Sequence, residues 1–172
     1  ACATRRGLAY KAKLNMIKKL EDNNVLEAIQ LMNKSTQDNE YHFGYSRNEA
    51  VWIKYFLELI GKQKTTPHAL VIGDYIDGTL RGFLSAESFI NYYNNEYIMD
   101  VKDCIVDHDH NNAYTIYRLF DAMIAHTKEH GGKQWRSDSI MGEQEALDYG
   151  RFLQHRYDAA LHVSVRGVIQ EK

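Results

Sequence analysis

The run Asp107-His108-Asp109-His110 invites a metal reading first, because imidazole and carboxylate are common ligands for zinc and its neighbours. Alternation along an extended chain would present His108 and His110 together. No further His or Cys stands at a supporting spacing nearby, and a polar loop at the end of a strand accounts for the same residues, so no metal is expected. A helical pattern begins just beyond the run, and the two aspartates suit the N-terminal end of a helix, where negative charge meets the positive end of the dipole. Cys104 is a nucleophile by type only. It is alone in an apolar stretch with no Ser-His-Asp or Cys-His constellation around it, so it reads as a small buried hydrophobe. Trp52 and the pair Tyr92-Tyr93 are of a kind that lines ligand grooves, and packing is the reading adopted for each.

The bulk properties bound what these residues can serve. The chain has 172 residues, 44% hydrophobic and 26% charged, enough for one well-buried core and short for two. With a formal net charge of −2 and a pI of about 6.5, no basic field argues for nucleic acid. No apolar run approaches the roughly 18 residues needed to cross a bilayer. The N-terminal residues Ala1–Arg6 are short and polar, with no signal-type apolar stretch behind them. Two cysteines, Cys2 and Cys104, give no disulfide framework, and a reducing cytoplasm is the expected compartment.

The elements that must position the site follow from period and punctuation. Residues 1–12 carry positive charge without period and read as a tail, leaving 13–172 as a single domain. Lys13–Leu20 suits an edge strand, and Asp22-Asn23-Asn24 offers N-cap chemistry before a helix through Val25, Leu26, Ile29, Leu31 and Met32. Ser46 and Glu49 form a capping-box pattern ahead of the stripe Val51, Trp52, Tyr55, Phe56, Leu59 and Ile60, with Gly61 as the expected C-terminal cap. His68–Ile76 and Thr79–Ser88 flank Asp77-Gly78, a strong hairpin signal because a type I′ turn needs positive φ at both central positions. Glu96–Val106 is a third strand of this run. The helical period returns from Thr115 and ends at Gly131-Gly132. Gln134–Ile140, Glu143–Phe152 and Leu161–Ile169 read as strand, helix and strand. The order is β-α-α-β-β-β-α-β-α-β, with a right-handed parallel crossover over 96–140 and antiparallel hairpins before it. That predicts an α/β chain with a mixed, mostly antiparallel sheet and helices on both faces.

This order resembles that of the GNAT superfamily of acyl-CoA-dependent N-acyltransferases, over nearly the whole chain from about Lys13. The hairpin Asp77-Gly78-Thr79-Leu80-Arg81-Gly82-Phe83 is similar to the family's turn between its second and third strands. Val106-x-His108 through Leu119-Phe120-Asp121-Ala122-Met123 is similar to its fourth strand, phosphate loop and third helix. A helix N-terminus offers unpaired N–H groups and a favourable dipole to a pyrophosphate. The family's Arg/Gln-x-x-Gly-x-Gly/Ala pattern falls here on Asn111-Asn112-Ala113-Tyr114-Thr115-Ile116, with Tyr114 and Ile116 in place of the glycines.

The resemblance implies acetyl-CoA as co-substrate, held by Val106, Asn111, Asn112, Ala113, Tyr114 and Thr115, and transfer of its acetyl group to an amine on a small molecule or protein. It also implies a general acid on the fourth helix. The frame puts Phe152 there, and Tyr149, one turn earlier, is the candidate substitute. The base is expected near the fourth strand, from Asp103 and Asp100, with Glu96 and Glu87 as further carboxylates. A second expectation, from a different class, is a GNAT-fold structural or binding module without catalysis, working as a homo-oligomer or within a larger assembly.

Overall fold

The computed structural model describes residues 15–36, 48–110, 112–137 and 143–160. The expected tail, Cys2, Ser46, Asn111 and the strand Leu161–Ile169 lie outside the described residues.

A five-stranded sheet of order β1-β2-β3-β4-β5 organises the larger of two compact units, residues 1–38 and 47–138. Its strands are β1 (Met16–Lys19), β2 (Ala69–Ile76), β3 (Thr79–Asn91), β4 (Glu96–Val106) and β5 (Gln134–Ser137). The first four pair antiparallel, and β5 pairs parallel to β4 through Ile98↔Gln134, Met99↔Trp135, Asp100↔Arg136 and Val101↔Ser137. That is the mixed sheet the sequence predicts, crossover included. The hairpin between β2 and β3 turns on Asp77 (φ 53°) and Gly78 (φ 79°), both left-handed as a type I′ turn demands.

All eight residues of β2 are buried, so the strand must be covered on both faces. On one side α1 (Val25–Thr36) and α2 (Glu49–Gln63) deliver Ile29, Met32, Phe56, Leu59 and Ile60 onto Val71, Tyr75 and Phe83. Phe56 meets Phe83 edge-on, with centroids 5.4 Å apart. α3 (Asn112–Glu129) lies against β2, β3 and β4, with Leu119, Phe120 and Met123 fully buried. It ends where expected. Gly131 takes φ 81°, and the Gly132 N–H reaches the Thr127 carbonyl at 2.8 Å. α4 (Glu143–Arg156) belongs to the second unit and runs a turn beyond the expected Phe152, its end met by Gln154 Nε2 donating to the Ala159 carbonyl at 2.9 Å.

Three local expectations are corrected. Asp22–Asn24 form a 3-10 turn leading into α1 rather than a simple cap. Asn48, not Ser46, is the N-cap of α2; its side chain accepts from the Val51 N–H at 3.2 Å, and Glu49 is the first helical residue rather than the third. Gly61 does not end α2, which continues to Gln63. The reason is tertiary. The buried Gln63 amide donates to the Leu20 carbonyl at 2.7 Å and accepts from the Val71 N–H at 2.9 Å, tying the last turn to β2 and to the chain leaving β1. Leu26 and Val51, counted in the apolar stripes, stand 71% and 62% exposed, so each helix packs on a narrower face than its pattern suggests.

Replacing Gln63 by leucine would leave a buried carbonyl and a buried N–H without partners. Gln63→Leu is expected to lower unfolding stability by about 3 kcal/mol in urea denaturation; a loss under about 1 kcal/mol would show that the amide is dispensable.

Candidate active site

Among the described residues β4 pairs with β3 along its length and with β5 from Ile98 to Val101, and its C-terminal edge leads to the loop before α3. Past Val106 the chain crosses 107–111 and enters α3, whose first amides have no partners inside the helix.

A β-bulge decides which side chains face this edge. Ser85 pairs with Asp103 and Ala86 with Val101, leaving Lys102 as the extra residue. Asp103 and Asp100, three apart, would point to opposite faces of a regular strand. The bulge turns both to the face shared by Ser85 and Glu87, the side of α2. Ser85 Oγ donates to Asp103 Oδ2 at 2.6 Å. Asp100 is 4% exposed and engaged by Arg136 at 2.9 and 3.0 Å and by Lys102. Burial opposes its ionisation, but those two cations outweigh burial and hold it below the ordinary carboxylate range. A carboxylate so occupied is a poor proton acceptor. Glu87 is paired with Lys62, and Glu96 with Lys133 at 2.6 Å at the far end of the strand. The Tyr55 hydroxyl, from α2, is buried on this face; burial first, then the charges of Asp103, Glu87 and Asp100, push its pKa well up, so it remains a protonated phenol.

The loop is built around Asp107, which is 3% exposed. Lys34 Nζ reaches its Oδ1 at 2.7 Å and Arg81 Nη1 its Oδ2 at 2.8 Å. Lys34 also bridges to Asp109 at 2.7 Å. Two carboxylates thus face two cations, and the loop's charge is balanced where an anion would approach. Burial raises the Asp107 pKa, but the Lys34 and Arg81 hydrogen bonds outweigh it and bring it to about 2. The neighbouring Ser35 Oγ donates to the Val106 carbonyl at 2.7 Å, so the end of α1 clamps the end of β4.

The expected cofactor residues gather at this junction. Val106 is buried at the strand end, Asn112 begins α3, Ala113 and Tyr114 are exposed in its first turn, and Thr115 is 1% exposed. Asn111 falls outside the described residues. Thr115 Oγ1 is buried beside Asp74. The approach of helix to sheet there needs Gly82, because a Cβ at that position would come within 2.5 Å of Thr115 Cγ2. Tyr149 stands partly buried on α4, in the second unit. Half-buried Cys104 lies in β4 and is not in a disulfide. Tyr92 and Tyr93 are 98% and 99% exposed at the tip of the β3–β4 hairpin, so packing does not explain them, while Trp52 stacks on Phe56 as packing requires.

Lys34, Ser35, Arg81, Asp74 and Arg118 were not singled out from sequence. Only Asp74 left a trace there, as a charge inside the apolar run Leu70–Ile76. It lies on β2 opposite Gly82, 0% exposed, with Arg118 Nη2 3.1 Å from its Oδ1. Burial raises its pKa, and Arg118, Thr115 and His110 offset only part of that.

No family model and no curated protein matches the sequence. Solved structures with a similar fold include an aminoglycoside acetyltransferase from an uncultured soil metagenomic sample, in complex with sisomicin (15% identity, TM-score 0.66, covering 91% of this chain and 97% of that one). A ribosomal-protein-alanine N-acetyltransferase from Brucella melitensis matches with 17% identity and TM-score 0.64 over 91% of this chain and 99% of the other. An aminoglycoside N-acetyltransferase in complex with CoA matches with 12% identity and TM-score 0.67 over 96% and 99%. Identities this low establish the fold alone.

Asp107 gives the site a pH signature. A carboxylate held below its unfolded value stabilises the fold above about pH 4, and that contribution disappears as pH falls toward about 2. The loss is expected to be about 2 kcal/mol across that interval. Asp107→Asn should flatten this part of the stability–pH curve; an unchanged acid limb would rule the network out as its source.

Proposed function

We propose that this chain, which has the GNAT fold, is an acyl-CoA-dependent N-acyltransferase that moves an acetyl group from acetyl-CoA to an amine. The observation that carries the reading is a strand, β4, running through a charge-balanced loop into the N-terminus of an 18-residue helix. The helix N-terminus and its balanced loop fit a pyrophosphate, and the strand before them would run beside an acyl-pantetheine arm. Neighbours of the same fold, an aminoglycoside acetyltransferase and a ribosomal-protein-alanine N-acetyltransferase, support an amine acceptor, on a small molecule or a protein.

Val106 closes the strand edge, and the first-turn amides of Asn112, Ala113, Tyr114 and Thr115 face the phosphates. Asn111 belongs to the same loop in this reading. The amine nitrogen attacks the thioester carbonyl carbon while backbone N–H groups near Val106 stabilise the developing oxyanion. The nitrogen loses a proton, directly or through water, to the carboxylate on the α2 face. Asp103, which accepts a hydrogen bond from Ser85 Oγ, is the base in this reading, since Asp100 is held by two cations. The C–S bond then breaks, and the thiolate takes up a proton, for which Tyr149 is the donor that the resemblance implies. The products are an amide and CoA.

Acetyl-CoA at about 100 times its dissociation constant should raise the melting temperature by about 5–10 °C. No shift at millimolar ligand would defeat the proposal. With an accepted amine in hand, Asp103→Asn should lower kcat by about 10²-fold with little change in the KM for acetyl-CoA. Equal kcat in the variant would remove Asp103 from the mechanism.

A further inference from the structure

We infer that Asp74 is a positioning residue for the anion end of the cofactor site: through Arg118 it fixes the Tyr114 ring on the flank of α3 and keeps the first-turn amides open to a phosphate. The inference rests on the acyl-CoA reading above and adds to it residues that take no part in the chemistry.

The starting point is a carboxylate in the wrong place. Asp74 is 0% exposed in the middle of the sheet, in a strand buried at every position. A leucine there would pack without a desolvation cost, whereas a buried carboxylate is costly unless well paired. This one is incompletely paired. Arg118 Nη2 lies 3.1 Å from Oδ1, yet neither carboxylate oxygen makes an aligned hydrogen bond. Thr115 Oγ1 and Arg118 Nε are buried beside it. A buried polar cluster of this kind calls for a reason beyond filling a core.

What the cluster holds is visible from the other end of Arg118. Its Nη1 donates to Tyr114 Oη at 3.3 Å, and the guanidinium lies 5.4 Å from the centre of the Tyr114 ring. The two residues are four apart on α3, the spacing at which helix side chains meet. Asp74 therefore grips the guanidinium from the sheet side, and the guanidinium grips the ring. Tyr114 stands where a phosphate loop of this type is served best by glycine, since any side chain there competes for space with the anion. Arg118 reaches back one turn and holds the ring on the flank of the helix, which on this inference leaves that space. The carboxylate is in reach because Gly82, opposite Asp74, lets Thr115 approach the sheet.

The test compares CoA with pantetheine, which lacks the phosphates, by calorimetry on the full chain. Asp74→Asn, nearly isosteric and uncharged, and Arg118→Gln are each expected to weaken CoA binding about tenfold or more and leave pantetheine unchanged. Adding Tyr114→Ala to either should restore most of the loss, because a side chain that is gone no longer needs holding. Equal weakening of both ligands, unchanged CoA affinity, or no rescue by Tyr114→Ala would each overturn the inference. Arg118→Gln keeps the test open should Asp74→Asn fail to fold. Inorganic pyrophosphate separates the two levels of the argument. A wild-type protein that binds pyrophosphate in a manner sensitive to Asp74→Asn, but not CoA, ends the acyltransferase reading and leaves this one standing. A wild-type protein that binds neither ends both.

Discussion

A strand with no face toward water constrains everything around it. β2 is buried at all eight positions, so its sheet must carry α1 and α2 on one side and α3 on the other. Both layers must come close. Phe83 takes the edge of Phe56 on one side, and Gly82 makes room for Thr115 on the other. Gln63 belongs to the same arrangement, because the edge of β2 near Val71 supplies the N–H that its amide accepts. The helix N-terminus that reads as an anion site is therefore set by packing onto β2 and β3, not by the loop that precedes it.

Charge is placed with the same economy. The loop after β4 carries two aspartates near the place where a pyrophosphate would sit, an arrangement that alone would repel the ligand. Lys34 from α1 and Arg81 from β3 cancel them, and Ser35 occupies the Val106 carbonyl, so the dipole of α3 acts on an anion without local opposition. On the opposite face of the sheet the bulge at Lys102 gathers Asp100 and Asp103, and their partners separate them chemically. Asp100, held by Arg136 and Lys102, ties β4 to β5. Asp103 accepts a hydrogen bond from the Ser85 hydroxyl.

Local chemistry was legible where one residue type has one structural use. Asp77-Gly78 marked its hairpin and Gly131 its helix end, since both positions need left-handed backbone. The strand Glu96–Val106 was read with its observed ends, and α3 with its apolar stripe. Ser46 and Gly61 misled because capping residues compete. Asn48 stood nearer the first turn of α2, and the buried amide of Gln63 repaid two further residues of helix beyond a glycine that any helix tolerates.

By itself, the sequence determined the order of the described elements, the parallel crossover and hence the fold, because period and turn chemistry act over a few residues and are written in consecutive positions. It also placed Val106 at the strand end and Asn112–Thr115 where the crossover helix begins, which the structure starts at Asn112, three residues before the expected Thr115. Only the tertiary structure decided that Asp100 and Asp103 share a face, that Lys34 and Arg81 neutralise Asp107, and that Asp74 reaches Arg118. Those outcomes depend on a one-residue bulge and on ion pairs between segments tens of residues apart. Neither leaves a period in the chain, and the energy of each exists only once the sheet has brought the partners together.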